Sequence, residues 1–141
     1  MRIWKHDFTV DAMNQICTNT IASHLGIEYV DFGDDWIKAR MPVDARTVQP
    51  ARILHGGASV VLAESIGSMA SYLCTEPGAG NVVGLEINAN HVRPATSGFV
   101  YGEVRPIHLG RTTHVWDIRI KNEEDKLVCV CRLTVAIVAH R

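Results

Sequence analysis

The chain has 141 residues, of which 47% are hydrophobic and 21% charged, and this composition is typical of one globular domain spanning residues 1–141. Fourteen basic residues balance fifteen acidic ones, so the chain lacks the positive charge expected of a nucleic-acid-binding protein. It has no run of about 18 apolar residues, and its N-terminus lacks the apolar segment of a signal peptide. We therefore expect a cytoplasmic protein with no membrane span.

The first third of the chain shows two short helical patterns followed by a hairpin pattern. Thr9 is a suitable N-cap for the first helix, and Gly26 can end the second. Gly33-Asp34-Asp35 is a turn sequence between two alternating apolar segments. These signals predict helices at 10–17 and 20–25, then strands at 27–32 and 36–41.

The longest predicted helix runs from about Gly57 to Cys74. Small and apolar residues lie around most of its circumference, so we expect it to be buried. After the loop Pro77-Gly78-Ala79-Gly80, alternating patterns and turn residues predict three or four long strands, near 82–91, 99–107, 113–121 and 127–138. This order of elements predicts an α+β fold in which an antiparallel sheet wraps around one long central helix.

Four cysteines are present, and none of them forms a C-x-x-C pair or lies beside histidines at zinc-ligand spacing. Cys129 and Cys131 are two residues apart in an apolar segment, so they share one face of a strand. We expect the cysteines to act as small apolar residues in a reducing compartment, with no metal site and no cofactor.

Glu64 is the one ionisable residue within the long helix. Its neighbours one turn away are apolar or small, so they form no charged surface stripe around it. A carboxylate among such residues is costly to bury unless it has a partner, and Ser68 can donate a hydroxyl to it. An ordinary exposed glutamate is the alternative interpretation.

Leu54-His55-Gly56-Gly57 directly precedes this helix. Paired glycines at a helix start leave backbone N–H groups free, and the helix dipole adds positive potential there. That combination suits a site for a carbonyl oxygen that gains negative charge as it is attacked. Gln49, a neutral amide six residues before His55, could orient the carbonyl or a water molecule. By itself the motif also fits an ordinary helix cap.

Gly56 and Glu64 are eight residues apart, which is about 12 Å along a helix. The carbon under attack must lie about 3 Å from the base or nucleophile and from the oxyanion donors. One helix cannot bring both of its own groups to one carbon, whereas two antiparallel copies can. We therefore expect a homodimer whose active sites are shared across its two-fold interface.

The residues that carry a resemblance are Gln49-Pro50, Leu54 to Ser59, Ala63-Glu64 and Gly67-Ser68. With these, nearly the whole chain resembles the hotdog-fold acyl-CoA thioesterases of the phenylacetate-degradation type. It is most similar to the branch of 1,4-dihydroxy-2-naphthoyl-CoA hydrolases of menaquinone synthesis. The proofreading thioesterases of enterobactin synthesis are a sister group.

The resemblance implies an antiparallel sheet of five or six strands around a central helix, in dimers that usually pair into tetramers. It implies Glu64 as base or nucleophile, the Gly56 amide polarising the thioester carbonyl, and support from Gln49, His55 and Ser68. It further implies an acyl pocket at Met69 and Tyr72, and coenzyme A contacts at Gly84, His91, Val92, Arg93, Pro94, His108, Leu109, Gly110, Arg111, Thr112 and Thr113. Relatives usually have Phe-Gly after Gln-Pro, whereas this chain has Ala51-Arg52 in the active-site loop.

The favoured function is hydrolysis of an aromatic acyl-CoA, with Glu64 either activating water or attacking the carbonyl to form an anhydride. One alternative is a proofreading hydrolase that removes aryl groups misloaded on a carrier protein. A hotdog dehydratase is less compatible with Gln49 before His55 and Glu64 in the helix. A non-catalytic acyl-CoA-binding module would not need a lone carboxylate near a Gly-Gly amide.

Overall fold

The computed structural model describes residues 1–139. Three helices and six strands follow in the order α1 Val10–Ile16, α2 Ile21–His24, β1 Glu28–Phe32, β2 Ile37–Pro42, α3 Gly56–Leu73, β3 Asn81–His91, β4 Phe99–Leu109, β5 Thr113–Lys121 and β6 Leu127–Val138. The strands form one sheet in the order β1-β2-β4-β5-β6-β3, and every neighbouring pair is antiparallel. The predicted α+β architecture is confirmed.

Local capping and turn chemistry sets most of the element boundaries. The Thr9 hydroxyl accepts a hydrogen bond from the Ala12 N–H at 3.0 Å and caps α1. Thr20 forms a capping box with Ser23 at the start of α2. Gly26 ends this segment with a φ of 77°, a conformation that favours glycine. The predicted boundaries shift by one or two residues, and β4 continues to Leu109.

The core lies between α3 and the inner face of the sheet. Leu62 and Ile66 of α3 are fully buried, as are Ile118 and Leu133 from the sheet. A Cβ added to Gly67 would collide with the Leu133 side chain, so the absence of a side chain lets α3 approach β6 closely. Burial of each such aliphatic side chain contributes about 1.5–3 kcal/mol.

Helix α3 is buried on one side only, so the expectation of burial around its circumference is wrong for a single chain. Ten of its 18 residues are buried. The sheet curls around one side of the helix, and a stripe on the opposite side remains partly or fully exposed. We call this the open stripe, and it consists of Gly57, Val61, Glu64, Ser68 and Tyr72.

The four cysteines are free thiols in the described structure. Cys129 and Cys131 share the inner face of β6, where both are buried with their Sγ atoms 3.5 Å apart, and Cys17 and Cys74 are half-buried free thiols. Burial raises the pKa of the Cys74 thiol to about 12, so it is inert at neutral pH. No helix within residues 1–139 is long and apolar enough to cross a membrane.

Candidate active site

The Glu64 carboxylate lies on the open stripe of α3, against the backbone of the edge strand β3. A Cβ added to Gly84 would lie 2.5 Å from Glu64 Oε2. The side chain is half-buried, and within residues 1–139 its carboxylate makes no hydrogen bond or ion pair. Glu64 is therefore an ionisable group with open acceptor positions, as a general base or nucleophile requires.

The start of α3 presents hydrogen-bond donors. His55 is the N-cap, and its Nδ1 accepts a 2.7 Å hydrogen bond from the Gly57 N–H. Because Nδ1 is the acceptor, the proton of the neutral imidazole is on Nε2. In the described part of the chain the Gly56 N–H meets no acceptor. The Gly56 amide and the His55 imidazole thus both belong to the positive end of the helix.

His91 lies against this helix start. A Cβ on Gly56 would be 2.9 Å from His91 Nε2, so the imidazole packs directly over the glycine. His91 is predicted as a coenzyme A contact, and the structure places its imidazole beside Gly56 at the start of α3, so its contact with coenzyme A stays a prediction. The absence of a side chain at Gly56 is what makes room for the imidazole.

Gln49 lies in a tight turn that leads towards α3. Its Oε1 accepts a hydrogen bond from the Ala51 N–H at 2.5 Å, and its side-chain NH2 group has no partner within residues 1–139. Buried Thr47 anchors the preceding chain through a 2.7 Å bond from its hydroxyl to the Pro42 carbonyl. No local pattern predicted the anchoring role of Thr47, because that role depends on a contact with the end of β2.

The predicted supporting and acyl-pocket residues have different environments. Ser68 lies one turn after Glu64 on the open stripe, but no hydrogen bond joins the two side chains in the described structure. Met69 is 7% exposed and belongs to the core, whereas Tyr72 is 46% exposed and stacks against His6. The structure does not bring Met69 and Tyr72 together as one open pocket, and the acyl pocket stays a prediction.

Apart from Gly84, which lies beside Glu64, the predicted coenzyme A residues fall into two groups at opposite ends of the sheet. His91 pairs with Cys129, whereas Thr113 pairs with Ala136, and these two partners on β6 are about 23 Å apart along the strand. The first group, at the α3 start, is His91, Val92, Arg93 and Pro94. The second group, in the β4–β5 turn, is His108, Leu109, Gly110, Arg111, Thr112 and Thr113. One chain does not bring the two groups together.

A buried polar cluster at the C-terminal end of α3 was not predicted. His114 Nδ1 lies 3.0 Å from Ser71 Oγ, which also accepts a 2.7 Å hydrogen bond from Trp116 Nε1. Burial, assisted by nearby His108, lowers the pKa of His114. His114 and Trp116 alternate with half-buried residues on β5, and this period of two was the signal that could have placed them on the inner face.

A concavity of about 610 Å³ lies away from these groups, on the outer face of the sheet. Its charged walls are largely paired with one another, as in the Arg105–Glu103 and Arg119–Asp117 bridges. No cluster of three potential metal ligands occurs among residues 1–139. Glu64 and the α3 donors do not line the outer concavity.

Comparison with known proteins shows to which family of proteins this chain belongs. The sequence matches the Thioesterase superfamily over residues 51–129. The chain therefore belongs to the thioesterase superfamily, and it is a hydrolytic enzyme with the hotdog fold predicted from its sequence. The interpretation as a non-catalytic binding module is accordingly not retained.

Particular relatives are similar over most of their length. The chain is 55% identical over 135 residues to 1,4-dihydroxy-2-naphthoyl-CoA hydrolase of Escherichia coli K12, covering 96% of this chain and 98% of that protein. A Pseudomonas aeruginosa thioesterase, solved as a Q49A mutant, is 51% identical with a TM-score of 0.96, covering 98% and 99% of the two chains. A Staphylococcus aureus protein is 38% identical with a TM-score of 0.82, covering 85% and 99%. It was solved as a glutamate-to-alanine and as a glutamine-to-alanine mutant, at positions 15 residues apart.

Proposed function

We propose that this enzyme hydrolyses the thioester of an aromatic acyl-CoA, with 1,4-dihydroxy-2-naphthoyl-CoA of menaquinone synthesis as the favoured substrate. The support for this substrate is the similarity to the Escherichia coli hydrolase of that compound, which extends over 96% of the chain. Four free cysteines, typical of proteins in a reducing compartment, support a cytoplasmic location.

The observation that carries the proposal is the environment of Glu64. Its carboxylate is accessible, has no cation or hydrogen-bond donor within residues 1–139, and lies on a helix that otherwise consists of small and apolar residues. Gln49 precedes it by 15 residues, the same separation as the glutamine and glutamate replaced in the Staphylococcus aureus relative. This agreement supports a joint role for the two side chains.

In the proposed enzyme two chains form a homodimer, and each active site contains residues from both chains. The open stripe of α3 and the 11-residue edge strand β3 are adjacent surfaces that a second copy could cover. Gly56 and Glu64 are about 12 Å apart along one helix, too far to act on one carbon. Two antiparallel helices would place Glu64 of one chain opposite the donors of the other. The same pairing could join the two coenzyme A groups, and assembly into tetramers stays a prediction.

In this mechanism the donors at the α3 start bind the thioester oxygen. The Gly56 N–H and His55 Nε2–H stabilise the negative charge that develops as the carbonyl carbon becomes tetrahedral. Glu64 of the other chain removes a proton from water as the water oxygen attacks that carbon. The C–S bond then breaks, the electron pair leaves on sulfur, and the proton held by Glu64 neutralises the thiolate. The products are the free acid and coenzyme A.

Attack by Glu64 itself is the second chemical route. Its carboxylate oxygen would displace the thiolate and form an anhydride, which water then hydrolyses. A single turnover in oxygen-18 water tests for the anhydride, because its hydrolysis at the Glu64 carbonyl leaves label in the protein, and the general-base route never does so. Label confined to the product acid is expected for the general-base route.

Replacement of Glu64 by glutamine tests the function directly. We expect Glu64→Gln to lower kcat by about 10³-fold or more, because the amide can neither accept the proton nor attack. Thiol release from 1,4-dihydroxy-2-naphthoyl-CoA is the measurement, and thermal unfolding establishes that the fold is retained. Glu124→Gln, an equivalent change in an exposed turn, is the control and should leave kcat unchanged. Near-normal hydrolysis by Glu64→Gln would refute the mechanism.

Mixed dimers test whether the site is shared. Glu64→Ala and Gly56→Pro, which removes the backbone N–H, should each be inactive as homodimers. A mixed dimer has one site with both defects and one with neither. Refolding an equal mixture should therefore restore up to about a quarter of the parent activity if subunits pair at random. If both variants fold and exchange subunits but no activity returns, each site is built within one chain.

A further inference from the structure

The N-terminal segment, residues 3–8, packs across the C-terminal end of α3. The Lys5 N–H donates to the Leu73 carbonyl at 2.7 Å. The last carbonyls of a helix have no partner within the helix, so this bond satisfies one of them. The buried Trp4 side chain donates from its Nε1 to the Gly33 carbonyl, in the β1–β2 turn, at 2.8 Å. The segment is therefore fixed both to the helix and to the sheet.

His6 is the residue of this segment that contacts the open stripe of α3. Its imidazole is half-buried and stacks against the Tyr72 ring, with the ring centroids 4.8 Å apart and the planes inclined by 35°. Its Nε2 lies 2.8 Å from the Thr75 carbonyl oxygen. Because a carbonyl oxygen only accepts hydrogen bonds, Nε2 carries the proton and donates it. The Thr75 carbonyl thus fixes the imidazole that packs on Tyr72.

Tyr72 is the one aromatic residue of α3, and its side chain is 46% exposed. An exposed tyrosine can occupy more than one rotamer, and the imidazole packed against it restricts that choice. Side chains of a helix lean towards its N-terminal end, so the Tyr72 ring leans back along the open stripe towards Ser68 and Glu64. The contact with His6 therefore determines where this ring lies relative to the catalytic carboxylate.

The proposed dimer leaves this part of the stripe uncovered by the second helix. Glu64 of one chain and Gly56 of the other act on one carbon, so they lie at the same level along two antiparallel helices. Between these levels each helix covers the other. Beyond Glu64 the second helix has ended, because α3 begins at Gly56. The space open to the acyl group therefore extends along Ser68 to Tyr72, which is about 12 Å past Glu64 along the helix.

The side chains of this stretch suit a flat aromatic group. Ser68 is small and leaves room beside the helix, and Tyr72 presents an aromatic surface at the far end. Aromatic rings in contact are favoured beyond the burial of their area. The second ring of a naphthoyl group extends further from the thioester than the single ring of a benzoyl group. Contact with Tyr72 therefore favours a bicyclic acyl group over a monocyclic one.

We propose that His6 is a positioning residue of the acyl pocket: it holds the Tyr72 ring in place, so that the enzyme favours bicyclic over monocyclic aromatic acyl groups. This inference rests on the proposed thioesterase site and its shared dimer. It agrees with the favoured substrate, whose acyl group has two fused rings. The N-terminal segment thereby contributes to substrate selectivity from outside the helix that carries Glu64.

The test compares 2-naphthoyl-CoA with benzoyl-CoA in the parent enzyme and in His6→Ala. We expect KM for 2-naphthoyl-CoA to rise about 3-fold to 10-fold, the effect of one weakened aromatic contact. Its kcat should change less than about twofold, because contacts to a non-reacting ring are retained in the transition state. For benzoyl-CoA, KM should stay within about twofold. His24→Ala, at an exposed histidine of α2, is the control and should leave both KM values unchanged.

Two further variants separate the stacked ring from the hydrogen bond. His6→Phe keeps a ring against Tyr72 and loses the donor to the Thr75 carbonyl, whereas His6→Gln keeps a donor and loses the ring. We expect His6→Phe to retain the selectivity at a lower unfolding temperature, since a buried carbonyl loses its partner. His6→Gln should lose the selectivity. In a Tyr72→Ala background, His6→Ala should cause no further change, because His6 acts through Tyr72.

An equal rise in KM for both substrates would overturn the inference, because it would mean that His6 supports the fold and not the acyl pocket. Selectivity that is restored by His6→Gln and lost in His6→Phe would overturn it as well. Calorimetric binding of both thioesters in a Glu64→Gln background still tests His6 if the parent hydrolyses neither of them. An unchanged ratio of the two Kd values in His6→Ala would then refute the His6 assignment separately from the proposed function.

Discussion

Gly84→Ala places a methyl group where the Glu64 carboxylate now lies. The new Cβ would be 2.5 Å from Glu64 Oε2, whereas ordinary contact begins at 3.4 Å. The carboxylate must therefore retreat by about 0.9 Å. A misplacement of about 1 Å in a catalytic group can lower the rate about 100-fold, which corresponds to about 2.7 kcal/mol in the activation barrier. We expect a loss of kcat approaching that size.

The fold should tolerate the Gly84→Ala change. Gly84 does not have a positive φ, and alanine in a strand is favoured over glycine by about 0.5–1 kcal/mol. The assay is thiol release from the acyl-CoA substrate at saturation, with thermal unfolding measured in parallel. A Gly84→Ala enzyme with kcat within about twofold of the parent would show that the position of Glu64 beside β3 has no catalytic importance.

Gly102→Ala is the matched control, because Gly102 is also a strand glycine that faces α3. Its Cβ would meet Ile66 Cδ1 at 3.1 Å and Leu62 Cδ2 at 3.4 Å, in the core and away from Glu64. We expect a lower unfolding temperature, because crowding in a packed core is destabilising, with little change in kcat. If Gly84→Ala lowers kcat and Gly102→Ala lowers the unfolding temperature, the loss of turnover is due to the position of Glu64 and not to a general effect on packing.

Two further predictions concern the predicted coenzyme A contacts and the buried histidine. Arg93→Ala and Arg111→Ala should each raise KM severalfold and leave kcat nearly unchanged, since phosphate contacts are retained from ground state to transition state. Steady-state kinetics would contradict this if kcat fell and KM did not rise. The pKa of His114 is below its ordinary 6.5 in the folded protein, so the unfolded chain binds its proton more readily. Neutral His114 therefore makes its full contribution to the free energy of unfolding above pH 6.5, and this contribution declines as the pH falls below that value. The drop in Tm between about pH 7.5 and pH 5.5 should be smaller in His114→Gln than in the parent, and equal drops would refute the assignment.

Much of the candidate site could be predicted because its signals are local in sequence. The Gly-Gly pair before α3 and the single carboxylate within it are visible without a structure, and the helical rise separates Gly56 from Glu64 by about 12 Å. The contact of His91 with Gly56 could not be predicted, because it joins β3 to the start of α3 across the fold. The left-handed backbone conformation of Arg52, with a φ of 67°, could not be predicted either, because it follows from the hydrogen bonds that close one particular turn.

The sequence by itself determined the elements of this protein: their order, their approximate boundaries and the caps at Thr9 and Thr20. Periodicity and capping depend on residues within four positions of one another, so both can be recognised in the amino-acid sequence alone. Only the tertiary structure decided that β3 pairs with β6 at the edge of the sheet, and that α3 keeps an open stripe around Glu64. It also decided that His114 and Trp116 meet on the Ser71 hydroxyl. These features depend on which distant segments pack together, because burial and strand pairing are properties of the whole folded chain and not of any local pattern.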